Sequence, residues 1–205
     1  MRFNQRWVVI AALASGASLL GVAVWKVCDK HVAIGATSKQ AANNHALPNP
    51  KQFNQPLLAE LDIPGICAPQ LLPAGTVNLK DEEVVIGVVV GGLSRAYLRK
   101  AFDGHEHHVV NDLVGIAPIS VTHYKLARCT RVLTHQAGVE QPLGIRIGGW
   151  NREYGMMMVI VNEQRYLQLS PDIPLLDVPY SEVTWGEWRR EHPDSLIYLG
   201  SSLDS

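Results

Sequence analysis

Between His105 and Arg131 the chain reads HEHHVVNDLVGIAPISVTHYKLARCTR. This stretch gathers the side chains best suited to chemistry. His105, His107 and His108 come first. On an extended chain His105 and His107 share a face and His108 points away. Imidazoles suit zinc, copper or nickel, and Asp112 or His123 could complete a set with His107 and His108 as the metal candidates. The plainer alternative is a solvated polar loop with His108 hydrogen-bonded in the core. Asn111-Asp112 could orient a catalytic histidine, or form an Asx-turn that ends a strand.

Further along, Tyr124, Cys129 and Arg131 join His108 and Asp112 as catalytic candidates. A cysteine beside a histidine can serve as a thiol nucleophile, whereas a lone cysteine on a strand is commonly a small buried hydrophobe. Arg131, on the Cys129 face, suits bidentate recognition of a carboxylate or phosphate, or a structural ion pair. Asn111, Tyr166 and Gln168 are the binding candidates. Met156, Met158 and the intervening Met157 invite a copper reading, but only the outer two share a face, and a Met-rich core strand explains them. GxxxxGK[ST], GxSxG and HExxH are all absent from the sequence. No particular cofactor is implied.

The elements that must position these residues are short strands. Glu82–Val90 is β-branched and runs into Gly91-Gly92, which supply positive φ for a tight hairpin; Leu93–Leu98 returns. A short helical turn at 99–104 leads to the histidines. Strands are expected at 108–110, ended by Asn111-Asp112, then at 116–124, 129–134, 143–147 (ended by Gly148-Gly149), 155–161 and 165–169. On 129–134, Cys129, Arg131 and Leu133 face one way and Thr130, Val132 and Thr134 the other. Thr184 with Glu187 makes a T-x-x-E capping box ahead of WGEWRREH, and Pro193 stops that helix. Trp185 and Trp188 form its apolar stripe, and His192 is a partner for its C-terminal charge. Leu196–Leu199 is a last strand. The pattern predicts a mainly β fold of α+β type: an antiparallel barrel or sandwich with one C-terminal helix packed on it.

Residues 1–28 read as an uncleaved signal anchor. Arg2 and Arg6 precede WVVIAALASGASLLGVAVWKV, which as a helix spans about 31 Å, close to a bilayer's hydrocarbon thickness. Trp7 and Trp25 lie near its ends, and the leading arginines favour a cytoplasmic N-terminus. The expected location is the cytoplasmic membrane, single pass, with the C-terminal domain outside the cytoplasm. The alternative is secretion after signal cleavage. Residues 29–58 are polar, small and Pro-containing, and read as a flexible linker; 57–66 is expected to dock as an irregular arm on a domain at 59–205. Net charge is −1 and the pI about 6.7, so no nucleic-acid partner is expected. Three widely spaced cysteines form no CxxC pair; one bridge, Cys67 to Cys129, is open to an oxidising compartment.

Several pieces in order resemble a bacterial family, domain-of-unknown-function family 3179. They are VVIGVVVGGLSRAY, HHVVNDLVGIAPISVTHY, CTRV, LGIRIGGW, GMMMVIV-NEQRYLQ and VTWGEWRREHPDSLIY, over about residues 82–198. The resemblance implies one exported or membrane-tethered domain with no established activity, and points to His107-His108-x-x-Asn111-Asp112 as the meaningful unit. Many members carry a YCPLCG-like segment; here Tyr124 and Ala127 stand where its cysteines would fall. The chain looks like the single-cysteine subgroup, so a two-cysteine redox or metal centre does not carry over. Two functions follow: a tethered binding or accessory module with an unidentified small-molecule or protein partner, or a metal- or thiol-dependent enzyme or metal-handling protein built on the His107, His108, Asp112 and Cys129 region.

Overall fold

The computed structural model describes residues 59–135 and 141–200. The expected signal anchor at 1–28 and linker at 29–58 lie outside those residues. Among the described residues no helix is long and apolar enough to cross a membrane.

The chain runs β1 (Ala59–Pro64), β2 (Ile66–Cys67), β3 (Leu71–Pro73), a 3-10 turn (Ala74–Thr76), β4 (Val84–Val90), β5 (Leu93–Leu98) and a second 3-10 turn (Arg99–Phe102). It continues through β6 (Val109–Val114), β7 (Ala117–Tyr124), β8 (Cys129–Thr134), β9 (Arg146–Asn151), β10 (Met156–Val161) and β11 (Gln164–Leu167). Last come β12 (Leu176–Asp177), β13 (Tyr180–Thr184), α1 (Trp185–Glu191) and β14 (Leu196–Tyr198). The strands form three sheets: A in the order β1-β9-β10-β11, B in the order β12-β8-β7-β6-β2, and C in the order β13-β4-β5-β14-β3. Among the described residues a mainly β fold with one α-helix is therefore as the sequence predicts. Three sheets take the place of a single barrel or a two-sheet sandwich, and two pairings, β14 with β5 and β2 with β6, are parallel.

Sheet B lies between the other two. Its strands alternate, so each presents one set of side chains to C and the other to A. Val110, Val114, Ile119, Val121 and Val132 join the larger core with Ile86 and Tyr97 of sheet C. Val109 and Leu133 instead pack with Ile147, Met157 and Val159 of sheet A. Cys129, on that same side, packs with Met156, Met158 and Leu167. The alternation expected for 129–134 is thus borne out, with both faces buried. A strand buried on both faces needs polar groups that pair internally, which sets up the polar clusters described below.

Local chemistry explains most of the elements. Gly91 and Gly92 take positive φ (59° and 81°) and close the β4–β5 hairpin. The capping box forms as expected: Thr184 accepts from the Glu187 backbone N–H while the Glu187 side chain accepts from Thr184. Helix α1 covers the outer face of sheet C. Trp188 lies flat on Gly87, where a Cβ would come within 2.1 Å of its ring, so only glycine admits this packing. His192 follows as the C-cap, its ring 4.1 Å from that of Trp188.

Three expectations need correction. The part of the 57–66 segment that the structure describes, from residue 59, is not an irregular arm: β1 pairs antiparallel with β9 through main-chain bonds that demand no apolar alternation. Gly148 and Gly149 do not end a strand at 147. They lie inside β9, where Gly149, at φ 111°, faces the irregularity between Met158 and Val159. Asn111 and Asp112 do not form a turn after Val110. They sit mid-strand in β6, opposite Ser120 and Ile119.

Candidate functional site

The middle third does hold the densest buried polar groups, but the β6–β8 pleat divides them between two faces. On the face toward sheet A, Asn111 is fully buried. Its Nδ2 donates to Ile145 O at 3.0 Å, and its Oδ1 accepts from Ile145 N at 3.3 Å and from Ser120 Oγ. The side chain thereby imitates a β-ladder partner for the segment entering β9. Space is tight here: a Cβ on Gly65 would sit 2.5 Å from Ile145 O and 2.6 Å from Asn111 Nδ2. Nearby, Gln168 Nε2 donates to Thr122 Oγ1 at 3.0 Å and to Cys129 O at 3.2 Å.

Arg131 is spent on the same face. Its Nε and Nη2 bind both oxygens of Asp177 at 2.7 and 3.2 Å, and its Nη1 donates to Gln168 O and Ser170 O at 3.1 and 2.7 Å. That is the bidentate geometry expected of an anion-binding arginine, filled by the chain's own aspartate. The Cys129 thiol donates to Ala127 O at 3.3 Å. Burial pushes it above the ordinary thiol value, so it remains protonated near neutrality, without the thiolate a nucleophile needs.

On the face toward sheet C, Asp112 accepts from Tyr97 OH at 2.7 Å and from the Leu113 backbone N–H at 2.7 Å. Arg95 Nε lies 3.5 Å from Asp112, an ion-pair distance, and its Nη2 donates to Leu113 O at 3.1 Å. Burial, then the Asp112 charge, raises Tyr97 well above the usual phenol value and keeps it a neutral donor. Sequence reasoning did not single out Arg95 and Tyr97 as Asp112's partners. The signal was an arginine and a tyrosine two apart, hence on one face of the strand.

At the far end of this face, His108 Nδ1 meets Phe102 O at 2.7 Å. A carbonyl only accepts, so Nδ1 carries the proton. His123 Nδ1 meets Thr130 Oγ1 at 2.8 Å, and Thr130 in turn donates to Glu182 of β13. Burial lowers both imidazoles below their ordinary value. The Tyr124 ring packs between His108 and Trp150, with ring centres at 5.0 and 4.8 Å. Burial raises its phenol. His107 is half-buried and His105 exposed in the loop before β6. Among the described residues no group of three or more His, Cys, Asp or Glu is placed to hold a metal ion.

Of the binding candidates, Gln168 is buried while Tyr166 bonds Gln164 at the surface at 2.6 Å. Met156 and Met158 are core residues on one face, as the pattern predicts. Cys67 and Cys129 are free thiols. They stand on β2 and β8, three strand spacings apart in sheet B, or about 14 Å, twice the reach of a disulfide.

A separate concave surface lies beside α1. It is an open groove of about 430 Å³ between the Ala74–Thr76 turn and the helix, walled by Asp81, Arg189 and Arg190. Arg189 Nη2 pairs with Asp81 at 2.9 Å. None of the candidates in the middle third lines it.

Residues 61–158 match the family model described as protein of unknown function (DUF3179), in agreement with the resemblance read from the sequence. The match begins in β1, ahead of the pieces that carry the resemblance, and ends within β10. No curated protein and no solved structure matches the chain.

Proposed function

We propose that this DUF3179 chain is a membrane-tethered binding or accessory module held outside the cytoplasm, and that the β-domain contributes no catalytic set of its own. One observation carries the reading: the polar residues that could do chemistry spend their bonds on the scaffold. Asp112 is committed to Arg95, Tyr97 and its own strand; Arg131 to Asp177 and two carbonyls; Asn111 to Ile145. A catalytic group must keep a lone pair or proton free for substrate, with its partners converging on one concave site. Here they divide between opposite faces of sheet B.

The tether rests on the sequence: a bilayer-length apolar run behind two arginines, then a polar linker. The ligand seat in this reading is the groove beside α1. Its exposed Arg190 adds cationic character that Asp81 offsets only at Arg189, which favours a small anionic ligand.

Two measurements test it. Membrane fractionation of the full chain, with protease added outside intact spheroplasts, is expected to find it in the inner membrane with the domain digested. Recovery from the cytosol, protected from protease, overturns the tether. A thermal-shift series on the detergent-purified chain with citrate and inorganic phosphate is expected to raise Tm, and Arg190→Ala to abolish the rise. No rise with either anion overturns the groove as the seat. Stoichiometric metal in the purified chain, lost in His107→Ala and His108→Ala, would support the metal-handling reading instead.

A further inference from the structure

The hydrogen bonds that reach from sheet B to the edge of sheet C form a chain with a fixed direction. His123 on β7 stands opposite Thr130 on β8. Thr130 Oγ1 donates its one proton to Glu182 Oε1, so the 2.8 Å contact from His123 must be Nδ1–H donating to the hydroxyl. Glu182 Oε2 accepts from Arg99 Nη1 of the second 3-10 turn at 3.3 Å. Tyr180 OH, two residues before Glu182, donates to Thr130 O at 3.1 Å. Thus β13, the edge strand of sheet C, and the Arg99–Phe102 turn are both fastened to sheet B around one imidazole.

We propose that His123, Thr130 and Glu182 form a proton-operated latch. It holds β13 and the Arg99–Phe102 turn on sheet B while His123 is neutral, and releases them when His123 takes up a proton. Every neighbouring group bears on the balance. From the 3-10 turn, the Phe102 ring meets the imidazole edge-on, with ring centres 6.1 Å apart, and offers no solvation; Tyr198 of β14 backs Phe102 with ring centres 6.4 Å apart. His108, whose carbonyl accepts from the His123 backbone N–H at 3.0 Å, and Arg99 oppose a second cation. Glu182 and Asp103 favour one, although Asp103 also pairs with Lys125 at 3.1 Å. Burial outweighs them, and the folded imidazole prefers to be neutral. A protonated ring regains its solvation only if the cover lifts. The parts able to lift are the edge strand, whose main-chain ladder is with β4 alone and whose hold on sheet B is by side chains, and the short turn, which besides Arg99 is held by the bond between Phe102 O and His108 Nδ1. Because β13 runs directly into α1, release also loosens the helix's attachment.

Hydrogen exchange on the full chain, corrected for the intrinsic pH dependence of exchange, reads the latch over 180–184 and 99–103. Protection there is expected to fall by up to about tenfold per pH unit as pH drops from about 6.5 toward the imidazole's folded titration point, and to level off below it, while β7 keeps its protection. His123→Asn places a non-titrating donor where Nδ1–H stood, and is expected to hold protection across the same range. Should that variant fold poorly, an imidazole-proton NMR titration of the unmodified chain decides: His123 is expected to titrate below about 6.5, in step with the loss of protection. Constant protection in the unmodified chain, opening of His123→Asn at the same pH, or titration of His123 out of step with opening overturns the latch.

Discussion

The two faces of the β6–β8 pleat were built from neighbouring residues, yet they solve the buried-polar problem differently. Toward sheet A, the Asn111 cluster pairs amides and hydroxyls with backbone groups, and none of Asn111, Ser120, Thr122 or Gln168 titrates. Toward sheet C, the neighbouring positions place Asp112 with Arg95 and His123 with Glu182. There charge sets the fit, and protons can change it. Asn111 and Asp112 are adjacent in sequence, but one acts as a staple and the other as an electrostatic anchor, because consecutive strand residues point to opposite sides.

The charged face should show the larger mutational losses. Asp112→Ala leaves the Arg95 guanidinium buried and unpaired, and should cost about 3–5 kcal/mol in urea unfolding at pH 7.5. A loss near that of an ordinary surface change would mean that charge does not set this face. Asn111→Ala should cost about 2–3 kcal/mol, since Ile145 N–H and C=O lose their partner in a buried setting. That loss should be the same at pH 5.5 as at pH 7.5; a pH-dependent loss would erase the distinction between the faces. Gly65→Ala probes the same staple sterically. The added methyl meets backbone oxygen as well as the Asn111 amide, and should cost about 1–3 kcal/mol by thermal melting.

Arg131→Lys should be milder, about 1 kcal/mol or less and reduced by salt, because the Asp177 side chain is 65 % exposed. The smallest effect concerns pH alone. His108 is held below its ordinary value when folded, so the unfolded chain takes up its proton first as pH falls. Its contribution to stability is complete above about 6.5 and is lost as pH drops from there through the folded value. His108→Asn, which keeps a donor for Phe102 O, should flatten the stability profile between pH 7.5 and 5.5. An unchanged profile would show that His108 takes no part in the acid response.

Several elements were legible because local chemistry suffices to specify them. The Gly91-Gly92 hairpin, the Thr184–Glu187 cap and the Trp185–Trp188 stripe each depend on residues within a few positions of one another. β8 was readable to its ends for the same reason: CTRVLT alternates cleanly. Gly148-Gly149 misled because glycine marks both turns and close strand contacts, and only the neighbouring β10 distinguishes them. Asn111-Asp112 misled because both residues favour turns when nothing else claims their side chains. In the fold Ile145, Ser120, Tyr97 and Arg95 claim them, at separations from 9 to 34 residues.

From the sequence alone came the family resemblance, the mainly β character, the helix with its cap, and the region where polar groups gather. These follow from periodicity, turn chemistry and composition, which act over short spans of chain. Tertiary structure alone decided that β1 completes sheet A, that sheet B lies between two others, and that the polar residues of the middle third part company across it. Those outcomes depend on which distant strand supplies each buried donor with its acceptor. A hydrogen bond fixes that choice only once the chain has brought the two ends together.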